Sequence, residues 1–209
     1  LSKADISLIS TASALHDIGK ISISDAILNK PSRLTPEEFE VIKTHSVIGA
    51  SMLLDLPIEQ QEDPLVKVAS EICRWHHERY DGNGYPDGLK GDEIPIAAQV
   101  VALADVYDAL TSKRCYKNAY DHETAMNMIM SGECGAFNPL LLKCLYEISP
   151  KLRMVVEGDM GEETYRQEAD RLAADVMKKK SMPCPPSMDL PGTWSLNRCC
   201  ATWMSAGLN

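Results

Sequence analysis

The sequence predicts an all-α protein, and three observations lead there. Aromatic residues make up only 6% of the 209, while Leu, Ala, Met and Glu are common, a composition that favours helices. Apolar residues recur at three- and four-residue spacing through most of the first 150 positions, and no stretch shows the two-residue alternation of a half-buried strand. Helix-start signals stand ahead of several of these stretches.

Taken in order, residues 4–15 carry a helical apolar pattern that His16-Asp17 closes before Gly19. Thr35-Pro36-Glu37-Glu38 combines an N-cap threonine, a first-turn proline and a capping-box glutamate. It opens a helix carrying Phe39, Ile42, His45, Ile48, Met52 and Leu53. Leu65, Val68, Ala69, Ile72 and Cys73 trace a further apolar stripe whose spacing reaches His76 and then His77. Residues 80–95 hold two Asp-Gly pairs and two prolines, which predicts a long loop, and loops of that length in a compact domain are usually functional. Helices return at Ile96–Leu110, Asp121–Met130 and Asn138–Ile148, the last with asparagine as N-cap and proline at its first position. The expected organisation is one domain over 1–149, a polar and partly helical extension over 150–180, and a low-order tail over 181–209 that holds four prolines.

With 44% hydrophobic residues the chain can bury an ordinary core. A net charge of −9 weighs against a general nucleic-acid surface, because such surfaces neutralise phosphates with excess Lys and Arg. An anionic substrate then needs local cations. Seven cysteines without a Cys-x-x-Cys pair indicate neither a disulfide framework nor a thiolate zinc site, and fit a reducing cytoplasm. No apolar run approaches the roughly 20 residues of a membrane span, and the N-terminus lacks a signal-peptide pattern. The chain starts at Leu1 inside a helical pattern, so a fragment of a longer protein is expected.

Four of the five histidines fall into one candidate set with two aspartates: His16, Asp17, His45, His76, His77 and Asp105. Neighbouring residues on a helix point about 100° apart, so adjacent pairs such as His16-Asp17 and His76-His77 suit two ions side by side, roughly 3.5–4 Å apart, better than one. Asp17 is the natural bridge. Imidazole and carboxylate without thiolate suit iron, manganese or catalytic zinc, and so many imidazoles weigh against magnesium. Two such cations generate a nucleophile from water at neutral pH and offset charge developing on a phosphate, which is the chemistry of phosphoester hydrolysis. Each residue alone has a plainer explanation: His45 as a core histidine, Asp105 or Asp108 as a local cap, the glycine loop as a turn. Their convergence is what favours a metal centre.

These stretches resemble the HD-GYP family, a branch of the HD metal-dependent phosphohydrolases, over residues 1–149. The matching pieces are His16-Asp17-Ile18-Gly19-Lys20, His45 within Lys43-Thr44-His45-Ser46 with Gly49, His76 through Pro86, Asp105 through Leu110, and Lys113 through Lys117. The resemblance implies an HD-type helical bundle with a long loop, and hydrolysis of the bacterial second messenger cyclic di-GMP to pGpG and in some members to GMP. Two divalent ions are expected, with iron or manganese ahead of zinc by ligand type. The resemblance further implies that Asp17 and Lys20 are catalytic and that Lys20, Tyr85, Asp108, Arg114 and Lys117 meet the substrate, with a sensor or receiver domain on the N-terminal side in the parent protein. Arg114 and Lys117 also form one of the few basic clusters of an acidic chain, and a guanidinium's forked donors match a phosphate.

Departures exist. Family members with a third metal take a glutamate and a histidine from upstream of the His-Asp pair, and residues 1–15 contain neither. Cys115 stands where proline is usual, which frees the backbone around Arg114, and Asn138 replaces a common aspartate, a mild change for a helix cap. Two other readings compete: a different HD-type nucleotide or cyclic-dinucleotide phosphohydrolase, and an inactive module that binds metal, nucleotide or a partner through the 80–95 loop.

Overall fold

The computed structural model describes residues 1–113 and 118–156. Arg114, Cys115 and Lys117, the extension beyond 156 and the 181–209 tail lie outside the described residues.

Among these residues the secondary structure is helical, with no strand. The helices are α1 (Lys3–Ser13), α2 (Asp25–Leu28), α3 (Pro36–Leu54), α4 (Ile58–Gln61), α5 (Pro64–Trp75), α6 (Ile96–Thr111), α7 (His122–Met130) and α8 (Pro139–Val156). Single 3₁₀ turns cover Ile18–Ser22 and Gly91–Glu93. Their starts follow local chemistry. Ser2 with Asp5 and Thr35 with Glu38 form reciprocal capping boxes, and Asp63 and Asp121 accept from backbone N–H groups in the first turns of α5 and α7. Asn138 caps α8 as expected, its Oδ1 accepting from Leu140 N at 2.9 Å, while its amide donates to Gln99 Oε1 at 2.8 Å. An aspartate there could not make that second bond, so the asparagine ties α8 to α6.

Two apolar clusters hold the bundle together, and α6 belongs to both. Ile9, Ala12, Ala50, Leu53, Ala69, Ile72 and Cys73 from α1, α3 and α5 close over Ala97 and Val101 of α6. Leu103, Val106 and Leu110 of the same helix pack with Ala125, Met126, Ile129 and Leu145 of α7 and α8. A helix buried on both sides reads as nearly continuous apolar sequence, which explains Ala97–Leu110. The 3₁₀ turn at Ile18–Ser22 lies against α3, and α3 lies against α5. That arrangement brings three separate sequence motifs to one place.

Some positions differ from expectation. The chain leaves the helix at Trp75, with His76 as the C-cap, so His77 already belongs to the turn that starts the loop. Helix α8 runs through Ser149 and Pro150 to Val156, so residue 149 falls inside a helix. The short helices α2 and α4 and both 3₁₀ turns carry too few residues to show a period. No described helix is long and apolar enough to cross a membrane.

Candidate metal centre

His45 and His76 are each 1% exposed, and His77 is buried beside them. One ligand atom each from Asp17, His45, His76 and His77 lies within 4.8 Å of all the others. His76 and His77, expected to serve separate ions because helix neighbours diverge, instead converge here with ring centroids 4.0 Å apart. The reason is the helix end between them, since the 100° rule lapses where the chain turns.

Asp17 joins this group to a second one. Its Oδ1 is 3.4 Å from His45 Nε2 and 3.9 Å from His76 Nε2, and its Oδ2 is 3.2 Å from His16 Nε2. His16 Nε2 in turn stands 3.8 Å from Asp105 Oδ1. All six expected ligands are therefore assembled, four tightly and two through His16, with Asp17 between the halves.

Backbone carbonyls orient three of the imidazole rings. Nδ1 of His16 lies 2.8 Å from Ser13 O, Nδ1 of His45 2.6 Å from Ile42 O, and Nδ1 of His76 2.9 Å from Ile72 O. A carbonyl only accepts, so in each ring Nδ1 carries a proton; in His45 and His76, whose charged forms burial disfavours, this leaves the Nε2 lone pair facing inward. His45 Nε2 and His76 Nε2 then face one another at 3.5 Å with no proton between them. Beside them Asp17 Oδ1 is buried without a hydrogen-bond partner. Converging lone pairs and an orphaned buried carboxylate oxygen repel one another unless a cation sits among them, so these residues fit divalent metal.

Electrostatics point the same way. Burial would raise the Asp17 carboxyl, but His16 and Lys20 outweigh it and hold the group well below the usual carboxylate range. Burial lowers His45, pushes His76 down to about 3, helped by the charges of His16 and His45, and lowers His77 strongly. His16 goes up: burial opposes its charge, but the hydrogen bond to Asp17 and the carboxylates of Asp17 and Asp105 prevail. His76 and His77 are thus held neutral and ready to ligate in mildly acidic solution, and burial shifts His45 in the same direction.

Around this centre, Lys20 Nζ rests on Asp17 Oδ2 at 2.8 Å. Tyr85 stacks on His77, ring centroids 4.7 Å apart and 25° between planes, and burial raises its hydroxyl, which stays protonated. A cavity of about 390 Å³ between α1 and α6 has apolar walls including Ile6, Ile9 and Val101, with His16, Asp105 and Asp108 on its polar side. Sequence reading missed three contributors. Glu78 accepts backbone N–H groups of Asp87 and Gly88, Asp87 is gripped by Arg74 and Trp75, and Cys73 donates to Leu15 O at 3.1 Å. Nothing local announces Glu78, although a carboxylate next to a glycine-rich loop is a usual partner for that loop's N–H groups. The fifth histidine, His122, sits elsewhere, between Tyr107 and Ser149 in the α6–α8 core.

The HD domain family model matches residues 1–137. The chain is 46% identical over 137 residues to a probable cyclic di-GMP phosphodiesterase of Vibrio cholerae, covering 63% of this chain and 30% of that protein. It is 40% identical over 164 residues to a cyclic di-GMP phosphodiesterase of Thermotoga maritima, covering 78% of this chain and 43% of that one. It is also 39% identical over 147 residues to 3'3'-cGAMP-specific phosphodiesterase 2 of Vibrio cholerae, covering 70% and 27%. The chain thus spans less than half the length of each of these relatives.

Proposed function

Because the chain belongs to the HD domain family, we propose that it is the phosphodiesterase domain of a bacterial signalling protein and hydrolyses cyclic di-GMP to pGpG, GMP or both. The observation that carries this is the Asp17 carboxylate standing between His16 on one side and His45 and His76 on the other, with the Nε2 lone pairs of His45 and His76 turned inward.

His16, Asp17 and Asp105 would hold one divalent ion, and Asp17 with His45, His76 and His77 a second, iron or manganese by ligand type. Such ions supply Lewis acidity toward a phosphoryl oxygen and a water of lowered pKa. The chain's own residues do the rest. Asp17 keeps its charge at any working pH, so it can face both halves as an anion. Lys20 has three N–H donors and uses one on Asp17, leaving others for a phosphate oxygen at the same place. Arg114 and Lys117 are assigned the remaining phosphate contacts from sequence. Asp108, on the wall of the cavity beside His16, is suited to accept from donor edges of a purine base, and the apolar walls to its stacking. The Tyr85 hydroxyl, always protonated, can only hydrogen-bond as a neutral group.

The domain read from sequence as 1–149 takes in all but the last residues of α8, which runs on to Val156. A further domain in the parent protein, expected from sequence to be a sensor or receiver on the N-terminal side, is supported by the greater length of the relatives, and a cytoplasmic setting is the expectation from the sequence. A second substrate has specific support, since a 3'3'-cGAMP-specific relative matches over most of the same residues.

The test is reconstitution with manganese(II), or with iron(II) under anaerobic conditions, followed by chromatography of products from cyclic di-GMP and 3'3'-cGAMP, beside Asp17→Ala. Metal-dependent pGpG or GMP absent from the variant supports the proposal. Preference for 3'3'-cGAMP moves the chain to the second substrate, and no turnover of either by a metal-loaded chain overturns the proposal for this chain.

A further inference from the structure

Of the four imidazoles in the centre, three are oriented by a backbone carbonyl on Nδ1, and His77 is not. Among the described residues neither nitrogen of His77 has a hydrogen-bond partner; the ring is fixed by packing alone, against His45, His76 and the stacked face of Tyr85. Tyr85 lies eight residues further on, in a loop that has to fold back to reach it.

What folds the loop back is visible. Tyr85 N–H donates to the carbonyl of His77 itself at 3.3 Å. Glu78, 2% exposed, offers Oε1 to the backbone N–H groups of Asp87 at 2.7 Å and Gly88 at 3.0 Å. The Asp87 carboxylate returns to the last turn of α5, taking Arg74 Nε and Nη2 at 2.7 and 2.9 Å and Trp75 Nε1 at 2.8 Å. Gly84 lies so close to the Glu78 and Arg79 backbone that no Cβ fits. The loop's anchors therefore sit on the residues immediately flanking the His76–His77 pair.

We infer that Tyr85, clamped by Glu78 and Asp87, is a positioning residue for His77, doing by ring stacking what backbone carbonyls do for the other three histidines. The inference rests on the reading of this site as a metal centre, and it goes beyond any contact Tyr85 makes with substrate. Outer-shell partners of metal-ligating histidines matter about 10–100-fold in metal affinity. Breaking the clamp should weaken the ion held by Asp17, His45, His76 and His77 and spare the one held by His16 and Asp105.

Stepwise manganese(II) affinities of the full chain, measured by competition with a chromophoric chelator, test this without turnover. Tyr85→Phe keeps the ring and should leave both affinities as in wild type. Tyr85→Ala and Asp87→Ala should each weaken one of two ions by about 10–100-fold and leave the other unchanged. If Asp87→Ala fails to fold by circular dichroism, the Phe and Ala variants of Tyr85 carry the comparison. Unchanged affinities in Tyr85→Ala, equal loss in Tyr85→Phe, or equal weakening of both ions overturns the inference while leaving the metal centre intact. A wild-type chain that binds no manganese overturns the functional reading, and the inference with it.

Discussion

Replacing Gly19 with alanine should damage the centre without touching any ligand. Gly19 lies in the 3₁₀ turn just after Asp17, against α3 at the level of His45. A Cβ there would stand 2.6 Å from Gly49 N and 2.9 Å from His45 C, and closer still to the His45 carbonyl oxygen. All three are backbone atoms of one helix, so no side-chain rotation relieves them. Reaching an ordinary contact of about 3.5 Å requires the turn and α3 to separate by on the order of 1 Å. Overpacking of this kind costs about 1–3 kcal/mol, or about 2–12 °C in Tm for a chain of this size. The same separation moves Asp17 away from His45, now 3.4 Å apart, so the ion between them should bind about 10–100-fold more weakly. Gly49→Ala is the control, because its nearest contact would be 3.1 Å, to Gly19 N, and the strain is smaller. Scanning calorimetry and chelator competition read both effects. A Gly19→Ala protein with wild-type melting and wild-type metal affinity refutes the close packing of turn on helix.

Three more outcomes follow from the site's electrostatics and packing. In the metal-free protein the unfolded chain, with histidines near pKa 6.5, binds more protons than the folded one between that value and the about 3 of buried His76. Stability should therefore fall as pH drops below 6.5, while His16, raised in the folded state, contributes in the opposite sense and loses its contribution as pH rises; a melting temperature flat from pH 7 to 4.5 in chelator contradicts this. Asp17→Asn keeps the shape but removes the shared charge, so metal content should drop for both ions and His16 should titrate closer to its ordinary value, as read by NMR of its ring protons. Burial pushes the Cys73 thiol up to about 12, so iodoacetamide at pH 8 should leave the Cys73 peptide unmodified until denaturant is added; mass mapping checks this.

The sequence made the framework legible where the chemistry is local. The Thr35 capping box, the Asn138-Pro139 start and the apolar stripes of α3, α5 and α6 depend on residues three and four apart, and all stand in the structure. That Asp17 stands between His16 and the other imidazoles was likewise readable, since a His-Asp pair offers its atoms in two directions. The convergence of His76 and His77 was hidden because it depends on where α5 ends. So was the Glu78–Asp87 clamp, which depends on a loop returning to its own root, a tertiary event that short-range patterns do not encode.

The proposed chemistry needs a pair of ions on either side of Asp17. Anomalous diffraction from crystals of the chain grown with manganese(II), collected at the metal edge, tests it directly. Two peaks are expected, one flanked by His16 and Asp105 and one among His45, His76 and His77, with Asp17 touching both. A single peak that leaves His16 and Asp105 without an ion, or peaks that do not touch Asp17, contradicts it.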